Sequence, residues 1–290
     1  MGARFVQPTS VAEASELLAA DSWGATAISG GTAVVLMMRQ GLIRPDTLVS
    51  LAGLEGLGGI RLEGERLRIG AGVPLSEVAA SPEVRATAPS LATACGRVGN
   101  VRVRNVATLG GNVAEADYAS DPPSVLVSLD ASCRVVGPDG EREVPVADLL
   151  VGFYTTSLQP GEVITEVIVP RPAPGARSTY LKYISRSSED RPCVGVAAHA
   201  VLDAGEVADL RVAVGAVAET PQRLDEHTTS VRGRALTPEV AAEVAAAYAA
   251  TIEPMDDARG SAWYRSRMIE VFVRRAITAL AAQTSSGRGG

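Results

Sequence analysis

Apolar positions along the chain alternate between the helical and the strand period, and glycine, proline and short polar residues mark the changes. The opening residues read as a strand, and Ser10 with Glu13 three positions on reads as a capping box that starts a helix running through Ala20. A second short strand ends at Ile28 and leads directly into Ser29-Gly30-Gly31-Thr32 and a helix, TAVVLMMRQ, stopped by Gly41. Residues 58–71, GGIRLEGERLRIGA, read as two strands joined at Glu63-Gly64-Glu65, and PLSEVAAS opens a short helix with Pro74 near its first turn. A longer helix is expected over residues 88–98. After it the pattern predicts a loop, NVRVRNVATLGGNVAEADYASDPP, and an apolar helix, SVLVSLDA. Strands follow around Pro138-Asp139-Gly140 and at VITEVIVP, before the proline-rich break PRPAPGA. Beyond it STYLKYISR, CVGVAAHAVLD and VADLRVAVGAVAE read as three strands of a mostly antiparallel sheet. Two helices close the pattern, over about residues 238–250 and from Ser261 to near Ala281, and the tail over 284–290 is expected to be disordered because it has nothing to bury.

A chain of 290 residues suits two domains, and the proline-rich break divides it into residues 1–174 and 175–283. The net charge is −6 and the basic residues are scattered among acidic ones, so no basic stripe exists to follow a nucleic acid backbone. No apolar run reaches the roughly 18 residues of a membrane helix, and MGARFVQPTS lacks the order of a signal peptide. The expected location is therefore cytoplasmic. Cys95, Cys133 and Cys193 are too few and too far apart for a disulfide framework or a four-thiolate iron–sulfur nest. His199 and His227 have no close Cys, Asp or Glu at a ligand spacing that would suggest zinc, and His199 reads as an ordinary strand residue.

Adjacent glycines let a backbone approach a ligand with no Cβ in the way, so Gly30-Gly31 and Gly110-Gly111 could each cradle a phosphate. Thr108 and Asn112 flank the second pair. A chain with 29 glycines also uses such pairs simply to turn, and that alternative stays open for either loop alone. The Rossmann G-x-G-x-x-G and the P-loop patterns are missing, which disfavours nicotinamide or ATP sites of those kinds.

SGGTAVVLMMRQGLIRPDTLVSL and NVRVRNVATLGGNVAEADYASDPPSVLVSLDA resemble the two flavin pyrophosphate loops of the FAD-binding medium subunits of molybdenum hydroxylases. The second carries the family's R-N-x-x-T-[IL]-G-G-N followed by A-S-D. GFYTTSLQPGEVITEVIVP, YLKYISR and DDARGSAWYRSRMIEVFVRRAI are similar to further family segments, in the family's order. The resemblance implies an α+β fold, with a two-subdomain FAD-binding domain of the vanillyl-alcohol-oxidase type followed by a C-terminal antiparallel sheet-plus-helices domain. It implies that Ser29, Gly30, Gly31, Thr32 and Ala33, with Thr108, Leu109, Gly110, Gly111 and Asn112, hold the pyrophosphate of FAD. Asp121 would reach adenosine or ribityl hydroxyls, and Ile164 and Lys182 would line the flavin. For Asp121 a helix N-cap is the plainer alternative, and for Lys182 a solvated strand position.

The family pattern N-x-A-H-A-D-P-A-S-D has Glu115 in its His place and Tyr118 in its Pro place here. Where relatives carry an aromatic that screens the flavin after YLKYISR, this chain has Arg191-Pro192, which leaves Tyr118 as a candidate substitute. The implied function is electron transfer, from molybdenum and [2Fe–2S] centres in a large molybdopterin-binding and a small iron–sulfur subunit to an external acceptor. The implied assembly is a dimer of heterotrimers. A stand-alone flavin oxidase or reductase, and an interaction module with a decayed flavin site, are the alternatives.

Overall fold

The computed structural model describes residues 2–185 and 191–283, so the expected tail lies outside the described residues. The first unit is β1 (Arg4–Val6), α1 (Val11–Ala20), β2 (Ala25–Ile28), α2 (Val34–Arg39) and β3 (Thr47–Ser50), with the strands in a parallel sheet ordered β1-β3-β2. Ser10 Oγ accepts the Glu13 amide at 3.1 Å, and the Glu13 carboxylate reaches back to the Thr9 amide at 2.7 Å, so two free amides near the helix start are satisfied reciprocally. Gly41, at φ 72°, ends α2 in the left-handed turn that its lack of a Cβ permits.

The second unit begins with β4 (Ile60–Glu63) and β5 (Arg66–Gly70) and continues through α3 (Leu75–Ala80), α4 (Pro82–Thr87) and α5 (Pro89–Gly96). Next come α6 (Val101–Arg104), α7 (Leu109–Glu115) and α8 (Asp121–Ser128). The stretch expected as a loop is thus partly helical. Asn100 Oδ1 caps α6 through the Val103 amide, and Thr108 Oγ1 caps α7 through the Gly111 amide, both at 3.1 Å, so polar residues that read as loop-formers act as helix starts. β6 (Ser132–Gly137), β7 (Gly140–Pro145), α9 (Val146–Leu149), the small hairpin β8 (Leu150–Gly152) and β9 (Thr155–Thr156), and β10 (Val163–Pro170) complete the unit. Its five-stranded antiparallel sheet runs β4-β5-β10-β6-β7. One face buries Leu67, Ile69, Val135 and Val167 against the helices. On the other, Glu166 is buried beneath Arg61 and Arg68; burial pushes its carboxyl up, but hydrogen bonds from the two guanidinium groups outweigh that and hold it below the usual range.

The third unit is an antiparallel sheet of β11 (Arg177–Tyr183), β12 (Val194–Asp203), β13 (Glu206–Gly215) and β14 (Gln222–Arg223), with α10 (Asp225–Thr229), α11 (Pro238–Thr251) and α12 (Ala262–Ala282). Period-two alternation gives this sheet two buried faces. Val194, Val196, Val212 and Val214 meet α11 and α12. Tyr180, Ala197 and Ala213 join the core that contains α5 and α8. As a result every residue of α8 is buried; its sequence is mostly apolar, and the hydroxyls of Ser124 and Ser128 donate to the Asp121 and Val125 carbonyls of the same helix. The helix is also gripped at both ends: Asp121 at its start meets Tyr180 and Lys182, while Asp130 just past its end meets Arg211 at 2.5 Å and Arg223.

Candidate functional site

Gly30 sets the position of the first glycine loop. A Cβ built there would fall 1.8 Å from the Val106 carbonyl oxygen, so the loop lies directly on the backbone that leads into the second loop. Gly31 takes φ 70°, a left-handed conformation, and turns the chain into α2. Among the described residues, the amides of Gly30, Gly31, Thr32 and Ala33 donate no hydrogen bond. Four adjacent donors are thus available to an anion.

The second loop spends its donors differently. The Leu109 amide donates to the Val73 carbonyl at 3.0 Å and the Gly110 amide to the Ala71 carbonyl at 2.9 Å. Gly110 lies so close to this segment that a Cβ would sit 2.4 Å from Ala71 Cβ. Gly111 is exposed, and a Cβ there would meet only Thr108 Oγ1, at 2.8 Å. The Asn112 side chain is tied to Ser120 Oγ at 2.8 Å. Thr108, Leu109, Gly110 and Asn112 therefore build the loop, and Gly111 is the residue that leaves its surface open. Both loops fit a dinucleotide pyrophosphate: one offers donors, and the other an exposed backbone without a side chain in the way.

Ile164 lies on β10, packed into the core at 6% exposure. Its neighbour Thr165 passes its carbonyl to the Ala71 amide at 2.9 Å, so the strand is joined to the second loop through Ala71. Asp121 and Lys182 come together. Lys182 Nζ lies 2.9 Å from Asp121 Oδ2 and 2.8 Å from the Arg97 carbonyl, and the two side chains are 4% and 3% exposed, which corrects the solvated-strand reading of Lys182. The Tyr180 hydroxyl donates to Asp121 Oδ1 at 2.6 Å. Asp121 is not the N-cap either: Ser120 holds that position and Asp121 is the first residue inside α8. Burial pushes its carboxyl up from the ordinary value while Lys182 and Tyr180 pull it back.

At the far end of α7, Glu115 is pushed up to about 7 by burial and by the nearby charge of Asp117, against a smaller opposing pull from Arg191. Asp117 itself is paired with Arg191 at 2.7 Å. Tyr118 stacks edge-on against Phe153, with ring centroids 5.2 Å apart, and its hydroxyl is bonded to Asp257 at 3.0 Å. His199 lies buried on β12 with neither ring nitrogen hydrogen-bonded, and burial lowers its pKa to about 4. Among the described residues no helix is long and apolar enough to cross a membrane, and no cluster of His, Cys, Asp or Glu could hold a metal ion.

The family model described as the FAD binding domain in molybdopterin dehydrogenase matches residues 1–172, and that of the CO dehydrogenase flavoprotein C-terminal domain matches residues 179–280. The chain belongs to this family. It is 33% identical to the carbon monoxide dehydrogenase medium chain of Hydrogenophaga pseudoflava over 94% of each chain. It is 28% identical to the putative xanthine dehydrogenase FAD-binding subunit of Escherichia coli over 95% of each. Among solved structures, carbon monoxide dehydrogenase from Hydrogenophaga pseudoflava, in a form lacking the Mo-pyranopterin moiety, superposes with a TM-score of 0.94 at 33% identity over 98% of both chains. The fold is accordingly the FAD-binding α+β architecture with its C-terminal domain, FAD is the cofactor of the family, and the chain is a flavoprotein of the oxidoreductase class.

Two residues of this flavoprotein's site region escaped the sequence reading. Tyr180 lies two positions before Lys182 on one strand, hence on the same face, and that spacing was a signal available in YLKY. Arg265 starts the buried stripe of α12 that continues at Ile269, Val273, Ile277 and Leu280, so a charge stands where the period calls for an apolar residue.

Proposed function

We propose that this chain is the electron-relay subunit of a molybdenum hydroxylase, cytoplasmic, assembled with a large molybdopterin-binding and a small [2Fe–2S] subunit as a dimer of heterotrimers. The observation that carries the reading is the seating of Gly30 on the Val106 backbone, which places two glycine loops side by side in a chain that spans its carbon monoxide dehydrogenase relative almost end to end. Residues 29–33 and 108–112 would hold the pyrophosphate, and Asp121, Ile164 and Lys182 would border the rest of the cofactor, between a flavin-binding part over 1–174 and a C-terminal part over 175–283. Bound FAD would accept electrons from the partner centres and yield them to an external acceptor.

The chain's own residues bind and orient. Neither glycine loop supplies a His, Lys or Cys that could take a proton from a substrate. Asp117 is held by Arg191. One observation favours a second reading, a stand-alone oxidase or reductase: Glu115, pushed up to about 7, could act as a base near neutral pH. Anaerobic stopped-flow separates the two. The FAD-loaded isolated chain should show no bleaching with carbon monoxide, aldehydes or purines, and bleaching should appear once molybdenum and iron–sulfur subunits are added. Rapid bleaching of the isolated chain, abolished in Glu115→Gln, would establish the second reading instead.

A further inference from the structure

Tyr118 is joined to the C-terminal unit by both its backbone and its side chain, in a closed circuit. Its carbonyl accepts the Ala216 amide at 3.1 Å. The Ala216 carbonyl accepts from Arg265 Nη1, and Arg265 Nη2 donates to Asp257 Oδ1. Asp257 Oδ2 in turn accepts the Tyr118 hydroxyl at 3.0 Å, which closes the ring. Arg259 Nη1 bridges the same two groups, 2.8 Å from the Tyr118 hydroxyl and 2.7 Å from Asp257 Oδ2.

The circuit is rigid for identifiable reasons. Arg265 is 0% exposed, and a guanidinium so buried must keep its carboxylate partner. Asp257 is held down to about 2: burial alone would raise it, but the Arg259 amide and Arg265 more than compensate. Ala116 and Ala216, which flank the joint, both take left-handed backbone conformations, at φ 48° and 67°, that non-glycine residues keep only where the surroundings impose them. Proline, which the resemblance places at position 118 in relatives, has no hydroxyl and could not close such a ring.

We infer that Tyr118 is a positioning residue for the flavin, which locks the rear of the second glycine loop to the C-terminal unit through Asp257 and Arg265. The inference rests on the FAD-binding reading above. The front of the loop is fixed by Ala71 and Val73, whereas its rear is fixed by the Asn112 bond to Ser120 and by this circuit. Lys182 stands on the C-terminal unit, so the circuit sets the second loop relative to the lysine expected beside the flavin.

The test is Tyr118→Phe in the full chain, with FAD affinity read by flavin fluorescence and melting temperature read with and without FAD. The control is Tyr248→Phe, whose hydroxyl ties the Val212 carbonyl at 2.9 Å and the Leu224 amide at 3.1 Å entirely within the C-terminal unit. Tyr118→Phe should raise the FAD Kd about tenfold, as expected for losing one hydrogen bond to a charged group. Tyr248→Phe should lower the melting temperature and leave Kd within about twofold. In an Asp257→Asn background the effect of Tyr118→Phe on Kd should shrink, since both changes open one circuit. An unmoved Kd in Tyr118→Phe, or Kd losses in the two tyrosine variants that simply follow their melting temperatures, overturns the inference. A wild-type chain that binds no FAD overturns the FAD-binding reading and this one with it, whereas wild-type binding with an unmoved Kd overturns this one alone.

Discussion

In the first glycine loop the amides of Gly30, Gly31, Thr32 and Ala33 make no hydrogen bond among the described residues, while in the second those of Leu109, Gly110 and Gly111 are taken by Val73, Ala71 and Thr108. The glycines differ in the same way. Gly110 is needed because Ala71 is against it, and Gly30 because the Val106 and Ala107 backbone that leads into the second loop is against it. One loop is therefore a set of donors held by a small parallel sheet, and the other is a braced platform built into the main core. A similar spelling, Gly-Gly beside the start of a short helix, ahead of α2 in one case and within the first turn of α7 in the other, serves two different physical purposes.

The sharpest way to break this contrast is Gly30→Ala. A Cβ 1.8 Å from a carbonyl oxygen cannot be absorbed by a side-chain shift, so the first loop must leave the second. FAD affinity should fall more than about a hundredfold, roughly 3 kcal/mol of binding, because the donors are carried away from the second loop, while the apo chain, which relieves the contact by that movement, loses less stability than Gly110→Ala costs. Flavin content of the purified variant measures the first part and apo melting the second. Gly58→Ala, with nothing within 4 Å and no left-handed backbone, is the control; Gly140, at φ 114°, would add strain of its own.

Acid tests the core that braces the second loop. His199 is buried in the sheet that packs on α5 and α8, and its pKa falls from 6.5 to about 4. Below pH 6.5 the unfolded chain binds a proton that the folded chain refuses, so stability is lost as pH falls from 6.5 toward 4, by roughly 3 kcal/mol in all. His199→Asn should flatten the melting temperature across that window; an unchanged slope would remove His199 from the account of acid sensitivity.

Smaller effects separate the platform from the donors. Gly110→Ala should lower apo stability by about 2 kcal/mol by pressing on Ala71, visible in urea unfolding without any flavin. Thr108→Ala should cost about 1 kcal/mol through loss of the cap on Gly111, again without flavin. If either variant left the apo chain unaffected and changed only FAD binding, the second loop would be a donor set like the first.

Period and punctuation made much of this legible. The capped helix after Ser10, the glycine stop at Gly41, the buried strand β10 and the Ser261-capped α12 all follow from local rules, because local hydrogen bonds and burial period decide them. The site was legible only in part. Gly30 and Gly110 could be flagged as glycines, but the reason for each is a distant backbone, Val106 in one case and Ala71 in the other, and no local pattern records that contact. The helices α6 and α7 were hidden because Asn100 and Thr108 read equally well as loop residues. Asp121 carries its own clue in chemistry, yet its partners Tyr180 and Lys182 come from the other end of the fold.

Amide hydrogen exchange, followed residue by residue with and without saturating FAD, reads the contrast between the loops most directly. Residues 30–33 should exchange fast in the apo chain and gain strong protection when FAD binds, because their donors are free until the cofactor takes them. Residues 109 and 110 should be protected already and change little. Equal gains at both loops, or no gain at residues 30–33 while FAD is bound, would contradict the division of work between them.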